Sequence, residues 1–340
     1  MSDNHPSVGG APLRRLTGVQ ILGTGSFVPD RIVTNDDLAD LGCDSDWIVK
    51  RTGIRARRHA PPGMCTSDMA VEAARRCLAA ADVPAKEVDL LVVGTFTPDR
   101  LMPATAPVVQ SELGLTCGAF DVSAACAGFT YALATAMQFV GTGCSRRALV
   151  IGADTNSRIL DPEDKTTYPL FGDGAGAVLL AGGSEEQGAL AYTIGADGSR
   201  VDLLTRPVGG VQSPEVYPDG NLDRRWFMQM EGRSVFKWAV RLVDEDVKQV
   251  LQHADLKPEQ IDCWLFHQAN VRILDAAVDA MGISRERVVM HLDRYGNTSA
   301  ASIPIALDET VRGGGIKSGD HVVMCGFGAG LAWGTLAWRW

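Results

Sequence analysis

The sequence predicts an α/β fold made of two similar halves, and two observations carry this prediction. Continuous apolar runs that are typical of buried strands alternate with segments of helical periodicity. The second half also repeats the order of the first. The run at 261–267 echoes the run at 88–94 at an offset of 173, and the run ending at Gly326 echoes the one ending at Gly152 at an offset of 174. A nearly constant offset over several elements indicates an internal duplication.

Each element follows from its local pattern. A strand is predicted where apolar and β-branched residues run together, and a helix where apolar residues recur every three or four positions. Asn35 and the two aspartates after it are typical of a helix start. The predicted strands begin at Val19 and then cover 88–94, 147–154, 261–267 and 321–326. The predicted helices cover 46–54 with its turn, 67–81, 104–113, the residues after Cys126, 235–251 and 299–311.

The boundaries of the halves are predicted from glycine-rich breaks. A flexible N-terminal arm is expected over 1–15, which is polar and lacks the apolar core of a signal peptide. The first half then covers 16–184 and the second 185–340, with the break in the glycine-rich stretch at 182–188. Residues 206–226 are rich in Gly, Pro and Asp and predict an inserted loop, of the kind that often shapes a substrate entrance.

Composition excludes several functional classes. A chain of 340 residues with 46% hydrophobic content can bury a large core. A net charge of −9 argues against nucleic-acid binding, and no apolar stretch is long enough for membrane insertion. The eight cysteines form no CxxC pair and show no metal-ligand spacing with the six histidines. Reduced thiols in the cytoplasm and no metal site are therefore expected.

Cys126 is the first candidate catalytic residue in the sequence. Small residues surround it, and a helical run follows. A cysteine in the first turn of a helix lies near the positive end of the helix dipole, which favours the thiolate. The alternative is a structural cysteine buried in an Ala-rich helix, since free cysteine is often buried.

His267 and Asn297 each follow an apolar, strand-like run, as Cys126 does. In isolation, His267 fits a hydrogen-bonded structural histidine, and Asn297 fits a turn with a helix cap. In a duplicated parallel α/β fold, however, ligands bind beyond the carboxyl ends of the strands, so the three side chains are expected to converge. A thiol with two neutral hydrogen-bond donors suits carbon–carbon bond formation better than proteolysis, because the donors stabilise an enolate oxygen.

Four segments carry a resemblance to a known family: 47–54, 121–129, 267–272 and 296–302, supported by the Phe-Gly-Asp-Gly-Ala-Gly segment that begins at Phe171. They resemble β-ketoacyl-[acyl-carrier-protein] synthase III, the condensing enzyme that begins bacterial type II fatty acid synthesis. The resemblance runs from about Val19 to Trp340. It implies the thiolase fold, a five-layered αβαβα core, and a homodimer. It implies no cofactor, because acyl-CoA thioesters are substrates, and it implies malonyl-acyl carrier protein as the second partner.

The resemblance also implies a role for individual residues. Cys126 would be the acyl-accepting nucleophile, His267 and Asn297 would bind the malonyl thioester carbonyl, and the amides of Cys126 and Ala329 would form the oxyanion hole. Met102 would cross the dimer interface into the partner's acyl pocket. The positions matching coenzyme A or phosphopantetheine contacts are Trp47, Arg51, Asn270, Arg272 and Lys165, the last standing where a familiar member has Arg. The positions expected to dock the acidic carrier protein are Lys237, Arg241 and Arg272.

Other thiolase-fold proteins remain as alternatives. A hydroxymethylglutaryl-CoA synthase would need a general-base Glu where this chain has Phe96, and a chalcone-synthase type would show Pro where it has Ala329. A related starter synthase or acyltransferase of polyketide or other secondary metabolism keeps the fold and the site. A non-catalytic binding subunit is disfavoured by the complete set of Cys, His and Asn.

Overall fold

The computed structural model describes residues 11–211 and 224–340. Within them, the strands form two five-stranded sheets and two two-stranded ribbons. The strands are β1 (Arg14–Thr17), β2 (Val19–Phe27), β3 (Ile32–Thr34), β4 (Ala56–Arg58), β5 (Leu90–Gly94), β6 (Gly118–Val122), β7 (Arg147–Asp154), β8 (Gly174–Gly182), β9 (Gly188–Ala196), β10 (Leu204–Thr205), β11 (Gln229–Met230), β12 (Cys263–Phe266), β13 (His321–Gly328) and β14 (Ala332–Arg339).

Each of the six predicted helices is present, with bounds that agree to within a few residues, and the structure adds α6 and α7. The α-helices are α1 (Ser45–Thr52), α2 (Thr66–Ala80), α3 (Thr105–Glu112), α4 (Gly128–Gly141), α5 (Gly232–His253), α6 (Val271–Met281), α7 (Leu292–Tyr295) and α8 (Ser302–Arg312). The predicted helix start at Asn35 is a short 3₁₀ helix over Asp36–Leu41, and the Asn35 side chain makes no cap there. That side chain instead bonds the buried Arg57 guanidinium, which accounts for the difference.

Four strands of each large sheet share one topology, and the fifth strands, β6 and β1, lie at opposite edges. In the first sheet, β5 runs parallel to β6 and β7, and β8 lies antiparallel between β7 and β2. In the second sheet, β12 runs parallel to β13, and β14 lies antiparallel between β13 and β9. Strands β7 and β13 have equal lengths, and both of their ends keep the offset found between the two halves of the sequence. The duplication predicted from the sequence is therefore confirmed.

Helices and sheets alternate in five layers. Helices α4 and α8 lie between the sheets, where their apolar side chains share one hydrophobic cluster with both. Helices α2 and α3 cover the outer face of the first sheet, and α5 and α6 cover the outer face of the second. Because helices cover both faces of each sheet, every residue of β5 is buried, which explains its unbroken apolar sequence.

The last two residues of the predicted N-terminal arm, Arg14 and Arg15, belong to a strand. Residues 14–17 form β1, which pairs antiparallel with β9 at the edge of the second sheet, so they lie with the second half and not with the first. Leu13 and Leu16 pack against hydrophobic clusters on either side of that sheet, and this burial holds the segment in place. Residues 1–10 of the predicted arm lie outside the described residues.

The predicted inserted loop lies partly outside the described residues, which omit 212–223. The base of this loop is the ribbon of β10 and β11, which pair antiparallel and bring the two ends of the segment together. The predicted break between the halves falls in the turn that joins β8 to β9. No helix in the described ranges is both long and apolar enough to cross a membrane.

Candidate active site

One cavity of about 690 Å³ brings together the three predicted catalytic residues, Cys126, His267 and Asn297. Cys126 follows β6 and His267 follows β12, so both approach the cavity from the carboxyl end of a strand, as predicted. The strand-like run predicted before Asn297 is wrong, because the structure has the short helix α7 there, whose Tyr295 amide donates back to the His291 carbonyl. Asn297 pairs with Phe171 in an isolated parallel bridge just before β8. The apolar wall includes Leu204 and Met230, so the base of the inserted loop borders the cavity.

The backbone around Cys126 is strained. Cys126 lies in a short 3₁₀ turn, Ala125–Ala127, that leads into α4. Ala125 has a φ of 46°, and Ser299, which begins the equivalent turn of the second half, has a φ of 52°. Positive φ is costly for residues other than glycine and clusters at functional sites. The duplicated halves therefore place two strained turns at one cavity.

The Cys126 thiol differs from its predicted state. Burial raises its pKa to about 12, and the Asp154 carboxylate adds to the increase. The Ser299 hydroxyl, which donates to Sγ at 3.3 Å, lowers the pKa only in part. Desolvation outweighs the favourable helix end that the sequence indicated, because the side chain is almost completely buried. The thiol keeps its proton at neutral pH and must lose it as it attacks.

Asp154 is a buried carboxylate behind the nucleophile that the sequence analysis did not single out. One oxygen accepts from the Thr95 hydroxyl at 2.9 Å and from the Phe96 and Thr97 amides at 3.0 and 3.2 Å. The other oxygen accepts from the Ala300 amide at 3.1 Å. Burial raises its pKa to about 6 in spite of these donors. An aspartate at the end of the apolar run at 147–154 is the signal that could have revealed it.

His267 is a neutral imidazole. Burial lowers its pKa to about 3, and the neighbouring His291 contributes to the decrease. Its Nδ1 atom is 2.7 Å from the Ser302 hydroxyl, and its ring packs edge-on against Phe327 with centroids 5.2 Å apart. The Nε2 atom is therefore the ring nitrogen left for the cavity.

The Asn297 carboxamide has a fixed orientation. Its Oδ1 atom accepts from the Ser299 amide at 2.8 Å, as in an Asx turn. The partner is an N–H group, so the acceptor must be the amide oxygen, and Nδ2 is left to donate toward the cavity. The turn predicted from the sequence is present, and it uses only the oxygen of the amide, so the nitrogen is left for the predicted donor role.

The cavity wall carries cations and aromatic residues. The predicted coenzyme A contacts all line it, and the described lining residues include no acidic side chain. The Arg51 guanidinium lies 4.9 Å from the centroid of the Trp47 ring, so one indole face already carries a cation. Arg272 lies 5.4 Å from the Phe236 ring centroid. The Asn270 side-chain oxygen caps α6 by accepting from the Arg272 amide at 2.9 Å.

Some predicted residues lie away from this wall. Lys237 lines the cavity, but Arg241 does not, and its guanidinium pairs with Glu245 at 2.7 Å. Met102 is 86% exposed on a separate loop. Ala329 follows Gly328, whose backbone lies so close to Cys126 that a Cβ there would be 2.9 Å from the Cys126 amide nitrogen. Sequence analysis missed Ser299, Asp154, Ser302, Phe236 and Arg233.

Two regions of the chain match one family of known proteins. Residues 120–198 match the family 3-oxoacyl-[acyl-carrier-protein (ACP)] synthase III, and residues 251–340 match its C-terminal part. The chain is 52% identical to a beta-ketoacyl-[acyl-carrier-protein] synthase III of Rhodopirellula baltica over 343 residues, which cover 96% of this chain and 99% of that protein.

Solved structures show the same similarity. The synthase III of Thermus thermophilus is 42% identical, with a TM-score of 0.88 over 94% of this chain and 98% of that one. The priming beta-ketosynthase of the R1128 polyketide pathway is 35% identical, with a TM-score of 0.88 over 96% of this chain and 97% of that one. The fold is therefore the thiolase fold. Because a relative 52% identical spans nearly the whole chain, the chain belongs to the 3-oxoacyl-[acyl-carrier-protein] synthase III family.

Proposed function

We propose that this chain condenses an acyl-CoA starter, such as acetyl-CoA, with malonyl-[acyl-carrier protein] and releases CO₂. The product is a 3-oxoacyl-[acyl-carrier protein], and the reaction begins type II fatty acid synthesis. The observation that carries the proposal is the presence in one cavity of a thiol, a neutral imidazole and a carboxamide oriented as a donor. This set suits acyl transfer followed by enolate formation.

The first half-reaction loads Cys126. Its Sγ atom attacks the thioester carbonyl, the bond to coenzyme A breaks, and coenzyme A leaves as a thiol that carries the proton from Cys126. The oxyanion of the tetrahedral intermediate would accept from the backbone amides of Cys126 and Ala329. The close approach of Gly328 to Cys126 supports this assignment, because it brings the end of β13 beside the nucleophile.

The second half-reaction uses His267 and Asn297. The malonyl thioester carbonyl would accept from His267 Nε2–H and Asn297 Nδ2–H, so both donors stabilise the enolate that forms as CO₂ departs. The enolate carbon attacks the acyl thioester, and the Cys126 sulfur leaves and regains a proton. The pKa of about 3 supports this role for His267, because the imidazole is then neutral at physiological pH. A neutral imidazole donates a hydrogen bond through Nε2–H without giving up its proton.

The cationic wall supports binding of coenzyme A and of the phosphopantetheine arm. In a chain of net charge −9, these cations are concentrated around one cavity: Arg51, Lys165, Arg233, Lys237 and Arg272. Phosphate groups are bound by such forked and flexible donors. We also propose that Lys237 and Arg272 dock the acidic carrier protein and that Arg241, which pairs with Glu245, contributes less.

We further propose a homodimer. Strand β6 lies at the edge of the first sheet with one side unpaired among the described residues, and Phe120 on it packs toward the 38% exposed Phe139. Unpaired edges favour strand pairing with another chain. Leu101 and Met102 are both highly exposed on a nearby loop and would then enter the partner's acyl pocket. Sedimentation should give twice the 36.3 kDa chain mass, whereas a monomer would remove this part of the proposal.

The experiment that tests the function follows each half-reaction by intact-protein mass. Wild-type protein mixed with a panel of acyl-CoAs should gain one acyl group and lose it on addition of malonyl-carrier protein. His267→Ala and Asn297→Ala should still gain the acyl group, but their decarboxylation of malonyl thioester should fall about 10²–10³-fold. Normal decarboxylation by both variants would contradict the proposed donor roles.

A second candidate function is priming of a polyketide pathway, and the 35% identity to the R1128 priming ketosynthase favours it as the runner-up. The mass assay separates the two when it is run with a malonylated fatty acid carrier protein and a malonylated polyketide carrier protein in parallel, because a polyketide starter synthase would lose its acyl group faster to the polyketide one. All eight cysteines are unpaired thiols, which supports a cytoplasmic location.

A further inference from the structure

We propose that Ser302 is a positioning residue whose hydroxyl fixes the tautomer of His267, so that Nε2 carries the proton and donates to the substrate. The proposal rests on the function proposed above, in which His267 donates to a thioester oxygen. Ser302 does not line the cavity. It lies behind the imidazole, fully buried, as the first residue of α8.

The direction of the hydrogen bond follows from which groups can donate. The Ser302 oxygen and His267 Nδ1 are 2.7 Å apart. Among the described residues, this nitrogen is the one side-chain or backbone acceptor that the Ser302 hydroxyl reaches. If Nδ1 carried the proton, the serine hydrogen would be buried without an acceptor, an arrangement that folded proteins avoid. The hydroxyl therefore donates to Nδ1, and the single proton of the neutral ring lies on Nε2.

A second buried histidine holds Ser302 from its backbone side. His291 Nε2 is 2.9 Å from the Ser302 carbonyl oxygen, and a carbonyl only accepts, so this nitrogen is the donor. The His291 amide in turn donates to Gln268 Oε1 at 3.2 Å. Gln268 Nε2 donates to the Phe266 and Val289 carbonyls at 3.0 and 3.1 Å. This chain of buried bonds fixes the Ser302 backbone, and with it the start of α8, beside His267.

The duplication separates this role from helix formation. Ser302 begins α8 in the second half, and Gly128 begins α4 at the equivalent place in the first half. A helix at this position of the fold can therefore begin without a hydroxyl. The half that carries the histidine has the serine, and the half that carries the nucleophile has no side chain there.

The tautomer matters for one half-reaction. With the proton on Nε2, His267 donates to the oxygen that becomes negative as CO₂ leaves. With the proton on Nδ1, a lone pair would face that oxygen and repel it. Acyl transfer to Cys126 does not use His267 in the proposed mechanism. Loss of the Ser302 hydroxyl should therefore impair decarboxylation and spare acyl transfer.

The first test uses the unaltered protein. In protein labelled with ¹⁵N-histidine, the spectrum should show the His267 proton on Nε2, and the signal should be assigned by its loss in His267→Ala. A proton on Nδ1 in the wild type would overturn the proposal, whatever any variant does.

The second test compares Ser302→Ala with Ser26→Ala as a matched control. Ser26 is also buried, and its hydroxyl donates to Asp308 at 2.5 Å, so its loss measures the general effect of removing a buried serine hydroxyl. Ser302→Ala should decarboxylate malonyl thioester about 10- to 100-fold more slowly, as for other histidines that lose an orienting partner, while acyl transfer changes less than about twofold.

Ser302→Thr, which keeps the hydroxyl, should decarboxylate faster than Ser302→Ala. The proposal fails if Ser302→Ala decarboxylates normally, or if it loses both half-reactions to the same extent as Ser26→Ala. These outcomes are distinct from failure of the proposed function, in which the wild type itself would not decarboxylate malonyl thioester.

Discussion

Replacement of Gly328 by alanine tests the geometry of the nucleophile directly. A Cβ at this position would lie 2.8 Å from the Cys126 Cβ and 2.9 Å from the Cys126 amide nitrogen. Carbon atoms in contact are normally about 3.5–4.0 Å apart, so the backbone segments at Gly328 and Cys126 must separate by about 1 Å. Neither β13 nor the turn at Cys126 can yield freely, because both are buried.

Two magnitudes follow from that displacement. Overpacking of this kind costs about 1–3 kcal/mol of folding free energy. A misplacement of about 1 Å at the reacting group costs about 10²-fold in rate. Gly328→Ala should therefore remain folded, with a urea midpoint lowered accordingly, and acylate about 10²-fold more slowly than the wild type.

Single-turnover acylation, followed by intact mass, measures the effect. The matched control is Gly182→Ala at the end of β8, where the new Cβ would meet no atom of another segment within 4 Å among the described residues. This control should acylate as the wild type does. An acylation rate for Gly328→Ala within about threefold of wild type would refute the close packing of β13 against Cys126.

Four further predictions address the chemistry and the charges. Cys126→Ser should give no acyl-enzyme by intact mass, because a serine hydroxyl is hardly ionised without a base. In the wild type, single-turnover acylation should rise about tenfold per pH unit from about pH 6 to 9 without a plateau, because the Cys126 pKa is raised to about 12. Folding raises the pKa of Asp154 from 3.8 to about 6, so the folded state binds this proton more tightly than the unfolded state. The free energy of unfolding should therefore fall by about 3 kcal/mol as the pH rises from about 4 to 6. Urea titration at several pH values measures this fall, which should be absent in Asp154→Asn. Arg272→Ala should raise KM for both substrates, with little change in the acylation rate at saturation. Added salt should raise KM more in the wild type than in the variant. Unchanged KM values would make Arg272 an ordinary surface residue.

The sequence by itself determined the architecture, because the architecture depends on local patterns. The buried runs at 88–94 and 147–154, and their echoes in the second half of the chain, require parallel strands covered on both faces. The same patterns placed Cys126 and His267 after strands, and the carboxyl ends of these strands, one in each half, face one cavity. The convergence of these two residues could therefore be predicted without coordinates. Asn297 reaches the cavity from the end of α7 and through its bridge to Phe171, which the local pattern did not indicate.

Only the tertiary structure decided the electrostatic state of the site. The sequence indicated a favoured thiolate at Cys126, but the pKa depends on how completely the folded chain excludes water from the sulfur, and that burial raises it. The placement of β1 in the second sheet also depends on the tertiary structure, because its partner β9 belongs to the other half of the chain. Ser302 reaches His267 from a different element, although the two lie far apart in the sequence. Contacts of this kind depend on distances between elements, which local periodicity does not encode.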